Sequence, residues 1–281
     1  MKRLRIEHQT GFAYPGDVVA SYNEARMLPG STDSQFVLSS SLDIEPSTSV
    51  NQYVDYFGTR VAAFDVLSPH AALTITARSL VEVRPRPIEH ADITWDELRA
   101  EASRSITTVE QLTQTRRTTP HPEVVALARE IAADHDRPGP AAHAIAEAVG
   151  NAIEYMQGVT GVHSTAVDAW EARKGVCQDI AHITLGALRE VGIPARYVSG
   201  YLHPKPSAEV GEAVTGESHA WVEWFAGDWQ GFDPTNNIEI GDRHVLVGRG
   251  RDYNDVPPLR GVYAGPGKSQ LKVKVTITRE T

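Results

Sequence analysis

The change of hydrophobic periodicity along the chain constrains its fold more than any other feature. Up to about residue 86, apolar and polar residues alternate in short runs such as Lys2–His8 and Leu73–Val83, which is the pattern of β-strands. Between about residues 95 and 191, apolar residues recur at helical spacing instead. The chain then returns to strand-like runs and ends with Leu271–Ile277. This order predicts an α+β fold with antiparallel strands, not an alternating parallel-sheet fold.

The same change predicts two domains. We expect residues 1–90 to form an N-terminal β domain resembling a small sandwich, with Pro85 and Pro87 marking its end. Residues 91–281 are predicted to hold the helices and the C-terminal strands. A chain of 281 residues with 41 % hydrophobic residues can bury a sizeable core.

Charge and composition exclude several classes of function. The net charge of −9 argues against a nucleic-acid-binding surface, which requires a basic patch facing phosphates. Membrane association is not expected, because the chain has no run of about 18 apolar residues. The first residues alternate in polarity and lack the apolar stretch of a signal peptide, which predicts a cytoplasmic protein. A single cysteine excludes an intramolecular disulfide and a cysteine-based zinc site.

Cys177, the single cysteine, lies at the start of a helix predicted from Val176 to Val191. Thiols attack as thiolates, and the partial positive charge at a helix N-terminus favours the thiolate. The backbone N–H of Cys177 would point outward, where an oxyanion could accept it. Gly175 lets the backbone turn sharply and approach a ligand closely. A lone cysteine is usually a small buried hydrophobe, but the polar neighbours of Cys177 favour a nucleophile.

A predicted hairpin supplies the base and its orienting group. If the chain turns near Gly227, position 221 faces position 233 and position 219 faces position 235. His219 and Asp233 are then diagonal cross-strand neighbours on one face, within reach of each other. An imidazole held by a carboxylate is what a nucleophilic cysteine requires. The alternative is a solvated edge hairpin with incidental polar residues.

Other histidines are weaker candidates for the base. His182 lies five residues after Cys177 on the same predicted helix, which places it away from the first turn and favours a supporting or core position. For His203, His163 and His70 the sequence offers no carboxylate partner, so ordinary surface or core positions are favoured.

A set of motifs resembles the bacterial transglutaminase-like superfamily, whose members are often described as candidate cysteine proteases. The order Cys177, His219, Asp233 is the order of that family. The matching segments are Tyr155–Thr160, His163–Ala166, Arg173–Asp179 with Ala181–His182, Gly192–Tyr201, Ser218–Glu223 and Asp233–Asn236. The N-terminal segment Ser21–Arg26 and the later segment Gly248–Pro258 extend the resemblance over most of the chain.

The resemblance implies a papain-like core, in which a helix bearing Cys177 packs against an antiparallel sheet bearing His219 and Asp233. It also implies thiol acyl chemistry on an amide through a thioester. Hydrolysis of a protein or peptide substrate is the favoured activity. Transfer of a glutamine acyl group to an amine and a non-catalytic binding or assembly module stay open. The identity of the second oxyanion donor also stays open. The alternatives are Gln178 and a residue near Trp170.

No cofactor or metal is expected. Animal members of the family can depend on calcium, but the chain has no Asp-x-Asp-x-Asp-Gly loop. The oxygen-bearing side chains between Asp233 and Asp242 are explained more simply as a polar turn.

Overall fold

The N-terminal part of the chain is built of strands, as its alternating pattern predicts. The computed structural model describes residues 1–84 and 93–281. The predicted domain boundary after residue 90, with Pro85 and Pro87, lies outside the described residues. The first six strands are β1 (Lys2–Val18), β2 (Ala20–Ala25), β3 (Gln35–Glu45), β4 (Val50–Val54), β5 (Arg60–Val66) and β6 (His70–Val83).

The helices follow, with two very short strands among them. Pro122 and Pro138 occupy first-turn positions, where their fixed φ suits a helix and no N–H is needed. Thr165 caps the helix that the sequence places after it. The elements are α1 (Trp95–Ala102), α2 (Ile106–Val109), α3 (Pro122–Ala133), α4 (Pro138–Ala152), β7 (Glu154–Tyr155), α5 (Ala166–Ala172), β8 (Lys174–Gly175) and α6 (Cys177–Glu190).

Seven strands complete the fold. Gly192, with φ of +83°, ends the turn after α6, a conformation that glycine adopts without strain. The strands are β9 (Ala195–Leu202), β10 (Ala213–Phe225), β11 (Trp229–Asp233), β12 (Ile238–Glu239), β13 (His244–Gly250), β14 (Leu259–Ala264) and β15 (Gln270–Arg279). The sequence does not predict β2, β13 or β14 as separate strands.

The strand β10 joins the two parts of the molecule. Its first residues, Ala213–Gly216, pair with β15, which pairs in turn with β1. Its later residues pair with β9 and, over Val222–Phe225, with β11. In the described chain, nine strands thereby form one sheet, and β14, β2, β5 and β4 form a second. These antiparallel sheets with packed helices confirm the predicted α+β fold class.

The central helix α6 is buried almost along its whole length. Its apolar side chains pack between the other helices and the face of β9 and β10. Each such side chain that leaves water contributes roughly 1.5–3 kcal/mol. The cluster includes Val149, Ile180, Ile183, Leu188, Val222, Trp224 and Phe232. This packing holds α6 firmly against the sheet.

Candidate active site

Cys177 is the first residue of α6, as the sequence predicts. Val176 precedes it in an extended conformation, and its carbonyl accepts the N–H groups of Asp179 (2.9 Å) and Ile180 (3.1 Å). The first N–H groups of a helix have no acceptor within the helix and carry partial positive charge. The half-buried sulfur of Cys177 therefore lies at the positive end of α6.

Asp179 fixes the backbone on which the sulfur is carried. Its Oδ2 accepts the N–H of Val176 (2.9 Å) and the hydroxyl of Thr160 (2.6 Å). Burial raises the pKa of this carboxyl. A Cβ on Gly175 would lie 2.8 Å from the same Oδ2, so only glycine fits there. The close approach predicted at Gly175 is thus to Asp179, within the protein, and not to a ligand.

The predicted hairpin has the predicted register. Val222 pairs with Phe232 across a turn centred on Gly227, which places positions 221 and 233 opposite each other. His219 Nε2 lies 2.8 Å from Asp233 Oδ2, and both side chains are nearly inaccessible to solvent. The structure therefore brings these two predicted residues into a hydrogen bond.

Two partners determine the protonation of His219. Burial disfavours the imidazolium, but hydrogen bonds with Asp233 and Cys177 outweigh it and raise the pKa of His219 from 6.5 to about 10. Burial likewise opposes ionisation of Asp233, yet the bond from His219 helps to hold the pKa of that carboxyl well below its ordinary value. Because Nε2 faces Asp233, Nδ1 is the ring nitrogen left to face the thiol. The three predicted residues thus form one connected group.

Asp233 accepts several further hydrogen bonds. Its Oδ2 accepts the side-chain amide of Asn236 (2.8 Å) and lies 3.4 Å from His244 Nε2. Its Oδ1 accepts the N–H groups of Thr235 (3.1 Å) and Asn236 (3.3 Å). The Nδ1 of His244 accepts the N–H of Gly241 (3.2 Å), so its Nε2 carries the proton that faces Asp233. Both oxygens of the carboxylate are therefore fixed by donors.

Two of these donors are not apparent in the sequence as site residues. On sequence alone, Asn236 belongs to a polar turn, and nothing singles out His244. The spacing Asp233 to Asn236 is a local signal, because an aspartate often binds backbone N–H groups two and three residues later. His244 reaches the site through the pairing of β13 with β9, for which the local sequence gives no signal.

Comparison with known proteins shows the family to which this chain belongs. Residues 4–82 match the bacterial transglutaminase-like N-terminal region, and residues 125–234 match the transglutaminase-like superfamily. An uncharacterized protein of Mycobacterium leprae is 45 % identical over 99 % of both chains, and one of Mycobacterium tuberculosis is 32 % identical over 98 % of this chain and 92 % of its own. The chain belongs to the transglutaminase-like superfamily.

Two more distant proteins resemble this transglutaminase-like chain, one in part of its sequence and the other in its fold. A protein-glutamine gamma-glutamyltransferase of Pseudomonas aeruginosa is 29 % identical over 50 % of this chain, which is 23 % of that protein. The crystal structure of a candidate cysteine protease from Cytophaga hutchinsonii superposes with a TM-score of 0.79 at 20 % identity, covering 99 % of this chain and 90 % of that one. The superposition shows that the two proteins share the fold.

The four weaker candidates for the base have other surroundings in this transglutaminase-like protein. His182 is fully buried, and its Nε2 accepts the N–H of Tyr253 at 3.2 Å. Burial lowers the pKa of His182 to about 3, so it stays neutral and suits the core position that the sequence favours. His203 and His70 hydrogen-bond to residues two positions away, and His163 is exposed.

The second oxyanion donor is not identified by the hydrogen bonds of the structure. The indole N–H of Trp170 itself donates to Glu123 at 2.9 Å, and a donor near Trp170 stays a prediction. Gln178 follows Cys177 in the first turn of α6 and is buried. A role for Gln178 as second donor stays a prediction.

Three polar side chains border the sulfur at the surface. Glu217 precedes His219 by two residues on β10, so both side chains share one face of the strand. Its carboxylate accepts the side chains of Gln157 (2.8 Å) and Tyr155 (3.4 Å). Burial and the nearby charges of Cys177 and Glu217 raise the pKa of Tyr155.

The residues of the predicted polar turn are engaged with one another and with helix α4. Asn237 donates to Asn151 at 2.8 Å, and Glu239 lies 3.1 Å from His143. Within residues 1–84 and 93–281, no group of three or more His, Cys, Asp or Glu side chains is arranged to hold a metal ion. Over the same residues, no helix is long and apolar enough to cross a membrane.

Proposed function

We propose that this protein hydrolyses an amide or peptide bond in a protein or peptide substrate. Cys177 is the nucleophile, His219 the general base and acid, and Asp233 the group that orients the imidazole. The observation that carries the proposal is the 2.8 Å hydrogen bond between His219 and Asp233, with Cys177 acting on the same imidazole from the N-terminus of α6.

The first half of the reaction forms a thioester. With His219 protonated and the sulfur ionised, the thiolate attacks the carbonyl carbon and its electron pair forms the C–S bond. The oxyanion that develops accepts the backbone N–H of Cys177, which has no acceptor within the helix. His219 then gives its proton to the amine nitrogen as the C–N bond breaks. The amine leaves, and the acyl group stays on sulfur.

The second half returns the enzyme. His219, now neutral, takes a proton from water as the water oxygen attacks the thioester carbonyl. The C–S bond breaks, and the carboxylic acid product is released. Asp233 keeps the ring in one orientation through both halves, because its Oδ2 binds Nε2 and leaves Nδ1 for the reacting atoms.

A second candidate function is transfer of a glutamine acyl group to an amine. It uses the same thioester and differs only in the molecule that attacks it. The similarity to the glutamyltransferase of Pseudomonas aeruginosa supports this candidate. A non-catalytic binding or assembly module is the third, and the connected triad argues against it.

Trapping at Cys177 tests the proposal. The protein is incubated with a peptide library and a labelled primary amine, and products and protein adducts are identified by mass spectrometry. Release of peptide fragments or ammonia without amine incorporation supports hydrolysis, whereas covalent incorporation of the amine supports transfer. A Cys177→Ser variant serves as the matched control. Equal turnover by the wild type and this variant would refute the nucleophile, and no turnover with a slowly alkylated thiol would favour the non-catalytic module.

Three further predictions from the sequence accompany this proposal. A cytoplasmic location, two domains divided near residue 90, and a reaction that needs no cofactor or metal stay predictions. The steps above use only side chains and backbone groups of the chain and water.

A further inference from the structure

A cavity lies beside the triad. Its volume is about 420 Å³, and its walls come from the N-terminal segment Thr32–Gln35 and from core strands β10, β11 and β13. Neither Cys177 nor His219 lines it, but His244 does. Cavities between two parts of a fold are common sites for small ligands. We propose that this cavity binds a small organic anion through a carboxylate group.

The charge in the interior of the cavity is positive. Glu223 Oε2 accepts Arg196 Nε (2.6 Å) and Arg249 Nε (2.8 Å), and Glu223 Oε1 accepts Arg249 Nη2 (3.0 Å). Burial opposes ionisation of Glu223, but the two guanidinium groups outweigh it and lower its pKa. Two positive charges and one negative charge leave a net charge of +1 on this wall.

The other charged residues of the cavity stand at its exposed rim. They are three acids and one arginine, and solvent screens their charges far more than those of the interior. They are Asp33, Asp228, Glu239 and Arg84. The partly buried guanidinium groups therefore dominate the attraction felt by a ligand inside the cavity.

A buried indole in the cavity wall has no acceptor. Trp221 is 1 % exposed, and the described residues offer its Nε1 no hydrogen-bond acceptor. Buried donors are normally paired, and each one left unpaired costs about 1–3 kcal/mol. In contrast, the indoles of Trp95 and Trp170 do have acceptors. Trp221 shares one face of β10 with Glu223, so its unpaired indole lies on the same side of the strand as the carboxylate and its two guanidinium partners.

Further donors remain on this wall. The guanidinium groups of Arg196 and Arg249 bind Glu223 through Nε and Nη2, which leaves their Nη1 groups for a ligand. Carboxylate oxygens are the acceptors that guanidinium groups bind best. The face of Trp229, on which the Arg196 guanidinium stacks at 3.8 Å, adds an apolar surface for an organic ligand.

The cavity also adjoins the proposed catalytic carboxylate. His244 lines the cavity, and its Nε2 lies 3.4 Å from Asp233 Oδ2. A ligand that contacts His244 is therefore one side chain away from Asp233. Binding itself does not depend on whether Cys177 is a nucleophile, so it is tested separately from activity.

Titration with phthalate, an aromatic dicarboxylate, tests the site. The five tryptophan indole N–H groups give separate signals in a ¹H–¹⁵N NMR spectrum. We expect phthalate to shift the Trp221 signal in a saturable way and to leave those of Trp95 and Trp170 unchanged. Phthalamide, of nearly the same shape but uncharged, should bind at least about tenfold more weakly, since it lacks the charge-assisted bonds.

A pair of arginine variants provides the second arm. Arg249→Gln removes one guanidinium from the cavity wall, and Arg260→Gln removes an exposed one from β14 as a matched control. The affinity for phthalate should fall about tenfold or more in the first variant and stay unchanged in the second. Absence of a saturable shift at Trp221, an equal shift with phthalamide, or equal affinity in both variants would overturn the site, and water would then account for the Trp221 indole.

Discussion

Replacing Asp233 by Asn removes one negative charge and leaves the shape of the side chain unchanged. Both oxygens of Asp233 accept hydrogen bonds: Oδ2 from His219, Asn236 and His244, and Oδ1 from backbone N–H groups. An asparagine offers one acceptor and one donor group at these two positions. In either orientation of the amide, its NH₂ group faces donors. The variant therefore loses the charge and breaks one set of hydrogen bonds.

The pKa of His219 gives the size of the effect. Its rise from 6.5 to about 10 corresponds to roughly 5 kcal/mol of preference for the imidazolium. Asp233 and Cys177 share this preference, so we assign about 2–3 kcal/mol to Asp233. Loss of that amount lowers the equilibrium constant for forming the thiolate–imidazolium pair about 30- to 150-fold.

Alkylation of Cys177 by iodoacetamide measures this change directly. The chain has one cysteine, so the rate of modification followed by mass spectrometry reports on that thiol alone. At pH 6 we expect Asp233→Asn to react more slowly, by up to the factor given above, with a rate that recovers as the pH rises. Asp228→Asn, in the exposed turn of the same hairpin, is the matched control. A folded Asp233→Asn protein that is alkylated at the wild-type rate at pH 6 would refute the role of Asp233.

Three other perturbations have defined outcomes. Cys177→Ala should abolish turnover and leave the thermal unfolding midpoint nearly unchanged by calorimetry; residual turnover would contradict the mechanism. A Cβ on Gly150 would lie 2.2 Å from the carbonyl oxygen of Pro234, so Gly150→Ala should destabilise the fold by about 1–3 kcal/mol in urea unfolding. Gly161→Ala, where nothing lies within 4 Å, should cost far less. The folded-state pKa of His219 is raised above its unfolded value, so the contribution of His219 to the free energy of unfolding is complete below about pH 6.5 and is lost as the pH rises through about 10. Urea unfolding midpoints that do not fall between these two pH values would contradict this linkage.

Local features of the sequence predict much of the site. The register of the hairpin follows from the turn at Gly227 and from side-chain alternation, and Val222 pairs with Phe232 as expected. The start of α6 at Cys177 follows from Gly175 and the apolar spacing after it. Each of these inferences depends on residues fewer than about 15 positions apart.

The remaining features depend on contacts between distant segments. His244 approaches Asp233 only because β13 pairs with β9, about 45 residues earlier in the chain. The contact of Arg249 with Glu223 likewise depends on that pairing. A single sequence carries no periodic signal for which strands are neighbours, so neither the contact of His244 with Asp233 nor the cavity beside the triad could be predicted from it.

The position of β15 between β1 and β10 has a consequence for the order in which the protein folds during synthesis. Leu4 of β1 pairs with Arg279 of β15, so β1 leaves the ribosome long before this partner strand is made. Until β15 emerges, β1 has β6 as its neighbour on one side and an unpaired edge on the other. The nascent chain therefore carries an open sheet edge over this interval, and the large sheet is completed only after the segment with Cys177, His219 and Asp233 has been made.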